Sequence, residues 1–326
     1  MAHILKKRIA LIGCGNIANF HAEAFIKAGF KILFVTSKSN SKRIKKFAKK
    51  FKIKNIIRNP NHFLEATKNK VDAYLILTPV EKTLGYLKKI TDIKMPVFVE
   101  KPIDYSYKKL IPFKNKKNIF VAYNRRFYSS IKIAKEFIIN NKKSFVQFEV
   151  PEQIQSKNFT NKHKNYKLLF ANSVHAFDLI NYLFKNPLLK NKNVIIENGK
   201  IKSITATFIS KKGDLIVYIG NWNASANWSI KIDNKNKRLL LAPFEKASIF
   251  EGIEVIHPGK NKIRLYQPKI KANFKIPIYE KNYKPGFYLQ ALEFKKFINT
   301  NKKTNNASIN DAINALKVAE KLTKAS

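Results

Sequence analysis

Two short stretches carry residue types that could do chemistry. The first is Gly13-Cys14-Gly15-Asn16-Ile17-Ala18, set between an apolar run and a segment with helical spacing. In such a turn the first glycine permits tight geometry and the second lets backbone approach a pyrophosphate. Ala18 is small enough, in place of a third glycine, for close helix–strand packing. A helix starting at Asn16 and Ile17 would offer free amides to phosphates. The second stretch is Val97-Phe98-Val99-Glu100-Lys101-Pro102, a buried-strand pattern that ends on an acid, a base and a proline. Two charges beside a core mark either a turn or a site.

A third feature is an absence. An Asp or Glu about twenty residues after the glycine turn would hold the ribose 2′-hydroxyl of NAD. This chain has no acid between Glu23 and Glu65, and that position reads Thr36-Ser37-Lys38, followed by Lys42 and Arg43. Hydroxyl plus cation suits a 2′-phosphate, so NADP is expected in preference to NAD, with Ser37, Lys38 and Arg43 as its contacts.

Alternating elements must position these groups. Runs at 8–12, 31–36, 71–78, 96–100 and 118–124 read as strands. Between them, helical spacing links Ile17, Phe20, His21, Ala24, Phe25 and Ala28, ended by Gly29. It links Ile44, Phe47, Ala48 and Phe51, and returns over 80–90. The alternation predicts a doubly wound parallel sheet. After Asn124 the pattern changes to a helix over 128–140, a strand at 144–150 and a helix over 168–184. From residue 201, extended runs separated by KKGD and NKNK predict a mostly antiparallel open sheet. Helices over 286–299 and 308–323 close the chain, the last capped by Ser308-Ile309-Asn310-Asp311. The expected class is α/β, with a dinucleotide-binding domain at 1–123 and an α+β domain for substrate binding and oligomerisation at 124–326.

Composition narrows the function classes. Of 326 residues, 45% are hydrophobic and 12% aromatic, enough for a substantial core. The net charge of +43 comes almost wholly from lysines spread along the chain, without aromatic platforms or a contiguous basic tail. That pattern is a solvated lysine surface, and no nucleic-acid partner is expected. The charge should still draw anionic ligands, favouring phosphorylated, carboxylated or nucleotide-linked substrates. No apolar run reaches the roughly 18 to 20 residues of a membrane span. The start lacks a signal-peptide pattern, and Cys14 is the only cysteine, so a cytoplasmic protein is expected. One cysteine and six scattered histidines offer no metal-ligand spacing.

Taken together, "LIGCGNIANFHAEAF", "VDAYLILTP", "VFVEKPI", "VAYNRRF" and "SVHAFDLINYL" resemble the glucose–fructose oxidoreductase / inositol dehydrogenase / MocA (Gfo/Idh/MocA) family. The resemblance implies a Rossmann domain followed by an α/β domain whose open sheet makes the contacts of a homodimer or homotetramer. It implies nicotinamide near Lys101 and His175, with Thr78, Pro79 and Glu100 beside the cofactor. Asn124, Arg125 and Arg126 would lie near the cleft where the chain enters the second domain, with Asn124 and Arg126 as substrate contacts. The chemistry agrees: oxidising a carbinol needs a base for the hydroxyl proton, and reducing a carbonyl needs an acid and a cation at the oxygen. His175 can titrate near neutral pH, and Lys101 can donate to the reacting oxygen. The expected substrate is sugar-like: a polyol, amino sugar, sugar acid or nucleotide sugar.

One position departs from the family. Members commonly carry an Asp four residues before the histidine, where this chain has Ala171, and Ser173 replaces the intermediate glycine. Asn172 and Asp178 are the candidate substitutes for substrate binding. Ala171 keeps open a second class of function, a dinucleotide-binding sensor without turnover. Tyr218, Trp222 and Trp228 read as core or interface aromatics rather than a sugar platform, and His21 as a packing residue.

Overall fold

A strand covered on both faces must be apolar throughout, and in this computed structural model four short segments meet that demand. They are the inner part of β1 (Lys7–Ile12), β4 (Ala73–Ile76), β5 (Val97–Val99) and β6 (Ile119–Val121). The structure describes residues 6–37, 42–59, 62–152, 169–198, 200–222, 224–259, 263–300, 302 and 305–323. Within it the chain divides into two units, Met1–Phe127 with Ile278–Lys317, and Tyr128–Pro277 with Val318–Ser326.

In the first unit, helix α1 (Asn16–Lys27) leads to β2 (Phe30–Thr36), and α2 (Lys42–Lys50) to β3 (Asn55–Ile57). Helix α3 (Phe63–Thr67) precedes β4, and α4 (Val80–Asp92) connects β4 to β5. The strands pair in parallel in the order β6-β5-β4-β1-β2-β3. The direction of winding reverses between β1 and β4, the switch point at which ligands bind in open α/β sheets, beyond the carboxyl ends of the strands. Register makes those ends coincide. Thr36 pairs with Ile12, Ile12 with Ile76, Ile76 with Val99, and Val99 with Val121, one row across the sheet. Ser37, Gly13, Leu77, Glu100 and Ala122 follow directly. Strand β3 and helix α3 have no counterpart in the sequence reading, because three and five residues are too few to show a period.

The second unit opens with α5 (Ser129–Ile139) and β7 (Phe145–Glu152), and α6 (Val174–Phe184) follows a wide turn at Leu169–Ser173. Its sheet adds β8 (Leu188–Glu197), β9 (Lys200–Ile209), β10 (Leu215–Trp222), β11 (Ser229–Asn234), β12 (Lys237–Leu241), β13 (Ala247–Ile256) and β14 (Leu265–Phe274). The order is β14-β13-β12-β11-β7-β10-β9-β8, antiparallel except for β7 against β10. Strands β8 and β14, both at edges, escape the sequence reading because neither has a fully buried face to impose alternation. Pro268 lies in β14, where an edge strand tolerates it. Tyr218 and Trp222 are buried, and Trp228 meets Phe244 edge-on at 5.9 Å.

The closing segment differs from the expected division at 123/124. Helices α7 (Ile278–Asn282) and α8 (Phe287–Thr300), the short strand β15 (Ala307–Ser308) and most of α9 (Ile309–Thr323) return to the first unit. Packing explains this. The Phe294 ring packs against four others: Phe98 at 5.5 Å, Phe120 at 5.2 Å, Phe25 at 6.0 Å and Phe30 at 6.2 Å. Strand β15 pairs with β6 and extends the sheet. The expected cap is present: Ser308 N and Oγ donate to Asp311 Oδ2 at 2.7 and 2.6 Å. Phe294→Ala should therefore destabilise the first unit by about 3–5 kcal/mol. Denaturant unfolding followed by circular dichroism measures it, since both tryptophans belong to the other unit. A change no larger than that of exposed Phe274→Ala would contradict this packing.

Candidate functional site

Immediately after β1, Gly13 has φ +98° and its amide donates to Thr36 O at 2.8 Å. A Cβ there would lie 2.5 Å from the Leu77 carbonyl oxygen, so only glycine lets the turn pass the end of β4. At Gly15 a Cβ would meet nothing within 4 Å, which leaves open space against the backbone. Helix α1 begins there with no side-chain cap and no acid in its first turn. Open backbone and an uncapped helix start fit a dinucleotide pyrophosphate. Beside them is a cavity of about 600 Å³ lined by Cys14, Asn16, Asn19, Phe47 and four cations, Lys42, Arg43, Lys46 and Lys50. Lys50 is shared with Glu23 at 2.8 Å. The Thr36 hydroxyl donates to Ile57 O at 2.6 Å and serves the sheet, Ser37 is half-buried beyond β2, and Lys38 lies outside the described residues.

At the end of β4, the Thr78 and Thr83 hydroxyls are 2.9 Å apart, and Thr83 also donates to Pro79 O at 3.1 Å, pinning the start of α4. At the end of β5, Glu100 is buried. Its Oε1 lies 2.6 Å from His21 Nε2, and its Oε2 accepts the Lys101 amide at 3.0 Å. Burial pushes the Glu100 carboxyl up, but the hydrogen bond and charge of His21, with the charge and amide of Lys101, outweigh it and hold the pKa below the usual range. An ionised carboxylate can only accept, so the proton between them belongs to His21 Nε2. The His21 ring lies 4.3 Å from Phe287 and 5.3 Å from Phe98. His21, which the sequence suggests is a packing residue, thus also holds the acid of the Glu-Lys-Pro tripeptide. Lys101 is half-buried, and its bond to Pro102 is cis.

Beyond β6, the turn Asn124–Phe127 carries three polar candidates. Asn124 Nδ2 donates to Pro285 O at 2.9 Å, and Arg126 Nη2 meets Asp311 Oδ1 at 3.1 Å with its side chain buried. Both tie the closing segment to the sheet. Burial raises the Asp311 carboxyl, while Arg126 and Ser308 more than offset it and hold it low. Arg125 is half-buried.

In the second unit, the turn Leu169–Ser173 leads directly into α6, whose first turns carry His175 and Asp178, both buried. The spacing puts them on one helix face. Asn172 Nδ2 donates to Glu152 Oε2 at 2.8 Å, and Ser173 Oγ donates to Glu152 Oε1. Tyr218 OH in turn donates to Ser173 Oγ at 2.9 Å. Burial pushes the Tyr218 hydroxyl up against that bond, and the Glu152 charge adds to it. Glu152 thus brings a buried carboxylate to the residues on the C-terminal side of Ala171. Sequence spacing could not find it, since it lies twenty residues upstream on another element. Among the described residues no cluster of three potential metal ligands occurs, and no helix is long and apolar enough to cross a membrane.

The low Glu100 pKa has a definite sign. A carboxyl depressed on folding stabilises above its unfolded pKa of about 4.3, and loses that contribution as pH falls through the folded value. Urea midpoints of wild type and Glu100→Gln should differ by a constant amount above about pH 5 and converge below about pH 4. A gap that widens in acid would contradict the assignment.

Residues 7–115 match the family model described as "Oxidoreductase family, NAD-binding Rossmann fold" (GFO_IDH_MocA). Over 138 residues, 41% of this chain and 41% of the other, the sequence is 27% identical to myo-inositol 2-dehydrogenase of Thermotoga maritima. The match therefore spans less than half of that relative. Among solved structures, the chain is similar to an oxidoreductase from Agrobacterium radiobacter in complex with NAD+, L-tartaric acid and magnesium. The TM-score is 0.77 at 14% identity, covering 97% of this chain and 95% of that one. It is similar also to UDP-N-acetylglucosamine 3-dehydrogenase from Acidithiobacillus ferrooxidans, with TM-score 0.76, 13% identity and coverage of 98% and 97%. At such identities these two likenesses speak to the fold alone. The glycine turn and the registered ends of β1, β2, β4 and β5 all lie within residues 7–115, the part of the chain that matches the family model of an NAD-binding Rossmann fold.

Proposed function

We propose that this protein is an NADP-preferring dehydrogenase or reductase acting on a carbinol or carbonyl of a sugar-like substrate. The observation that carries the reading is the row of strand ends, which sets the Gly13 turn, Thr78 and Glu100-Lys101 along one edge of the parallel sheet. A bound nicotinamide would accept or supply the hydride. Gly13, Gly15, Asn16 and Ile17 would hold the pyrophosphate, and Thr78, Pro79 and Glu100 would flank the nicotinamide end. Lys101 would donate to the reacting oxygen, and His175 would take or return the hydroxyl proton. Asn172 and Asp178 would orient the sugar, with Glu152 fixing Asn172. Asn124 and Arg126 would contribute by holding the closing segment. Inositol and a UDP-sugar, named for two of the relatives, support a polyol or nucleotide sugar, and the tartaric acid complex supports an acid.

NADP is favoured over NAD because cations, and no acid, line the cavity next to the glycine turn. A homodimer or homotetramer through the C-terminal sheet is supported by apolar side chains exposed on its edge strands β8 and β14, among them Ile195, Ile196, Leu265 and Ile270. A sensor of the same fold is the reading that tight dinucleotide binding without turnover on any sugar would select.

Two measurements test the proposal. Losing one charge-assisted contact costs about tenfold or more, so Arg43→Ala should weaken NADP+ by that factor and leave NAD+ within about twofold, by calorimetric titration. Equal or tighter binding of NAD+ by wild type would reject the preference. Lys101→Ala should lower kcat by about a hundredfold or more, read from nicotinamide absorbance across a sugar panel, while cofactor affinity holds. Wild-type turnover in that variant would remove Lys101 from the chemistry.

A further inference from the structure

The buried histidine of α1 is a titratable group that the chemistry above does not use. His21 lies wholly inside the first unit, caged by three rings. They are Phe25 of its own helix at 6.2 Å, Phe98 of β5 at 5.3 Å and Phe287 of α8 at 4.3 Å. Its Nε2 donates to Glu100 Oε1 at 2.6 Å, and Glu100 Oε2 accepts the Lys101 amide at 3.0 Å. Imidazole, carboxylate and the Lys101 backbone thus form one connected line. It joins the helix that starts at the glycine turn to the strand end that carries Lys101.

Packing alone does not account for a histidine in this cage. A leucine would fill it without burying nitrogen, and a buried polar group is costly unless it is hydrogen-bonded. His21 Nδ1 is buried and has no hydrogen-bond partner among the described residues, so the ring's polar contact there is the one to Glu100. That contact bears on Lys101 because the two oxygens of a carboxylate are one planar group. Holding Oε1 in place fixes the direction of Oε2, and Oε2 is the atom on the Lys101 amide. Of the other charged groups, Lys101 acts on this carboxyl. The carboxyl in turn acts on Lys284, just before α8, whose ammonium lies 5.2 Å from the Phe287 ring.

We propose that His21 is a positioning residue for hydride transfer: its Nε2 hydrogen bond pins Glu100, and Glu100 pins the backbone from which Lys101 reaches the reacting oxygen. The inference rests on the dehydrogenase reading above and adds to it a wholly buried residue that touches neither substrate nor cofactor. A misplacement of catalytic groups by an ångström is enough to slow a reaction strongly while binding holds. Loss of the His21 donor therefore acts on kcat rather than on affinity. It also acts on pH dependence, because His21 is the leading partner that keeps the buried Glu100 carboxyl ionised.

The test uses the full chain as wild type, His21→Leu and His21→Gln. Leucine fills the cage without a donor, and glutamine can bring an amide N–H to Glu100. Hydrogen exchange at the Lys101 amide, read by mass spectrometry with electron-transfer fragmentation, reports the pinning without turnover. His21→Leu should speed that exchange about tenfold, and His21→Gln should restore protection. On the sugar panel, His21→Leu should lower kcat about tenfold or more, with KM and dinucleotide Kd within about twofold of wild type. Its acid limb should move up by about one pH unit. Glu100 acts as an anion above its pKa and is lost as pH falls through it, and without His21 burial raises that pKa. A ring that only packs would lower kcat alike at every pH. The proposal is overturned if His21→Leu leaves both the Lys101 exchange and the acid limb where they were. It is overturned equally if a folded His21→Gln behaves like the leucine variant. Should leucine prevent folding, the more adaptable His21→Met takes its place. Faster Lys101 exchange in the leucine variant, with no hydride transfer by wild type on any sugar, would sink the dehydrogenase reading and leave the hold of His21 on Lys101 standing.

Discussion

Everything assigned to the first unit depends on the hydrogen-bonded register of its parallel strands. Five strands end on one row, Thr36, Ile12, Ile76, Val99 and Val121, and the residue after each is delivered to the same edge. A slip of one residue would move a strand end by about 3.3 Å and turn its side chains to the other face. Apolar burial on both faces forbids that slip, because Val97, Phe98 and Val99 have no solvent side to turn toward. The Gly13 turn is subject to the same constraint, since the Leu77 carbonyl occupies the space that any side chain at 13 would need.

Buried carboxylates impose the second constraint. Leaving a charge in the interior without partners is costly, so each such group recruits donors from wherever the fold supplies them. Glu100 recruits the imidazole of α1 and the amide of Lys101, which couples the helix that begins at the glycine turn to the tripeptide after β5. Glu152 recruits Asn172 and Ser173, with Tyr218 behind Ser173, and thereby braces the turn that leads into the helix of His175. In both units the acid holds the backbone next to a candidate catalytic group.

Much of this was legible in the residues. The strand–turn–helix around Gly13 and the alternation up to residue 124 rest on local pattern, and local pattern survives folding. So did the helix that carries His175 and the cap at Ser308–Asp311. Less legible was anything that depends on a partner distant in the chain. His21 reads as a packing residue because Ile17, Ala24 and Phe25 share its helix face, and the acid it meets lies 79 residues away. The destination of the closing helices was hidden for the same reason: an apolar stripe shows that a helix is covered, not by which sheet.

The sequence by itself determined the fold class, the dinucleotide turn, the Glu-Lys-Pro strand end and the missing acid at Ala171, since each is a matter of residue type at short spacing. Tertiary structure alone decided where the charges are spent. It assigned Glu100 to His21, Arg126 to Asp311 and Glu152 to Asn172 and Ser173. Charge pairing depends on distance and burial in space, and neither is written in the linear spacing of a chain.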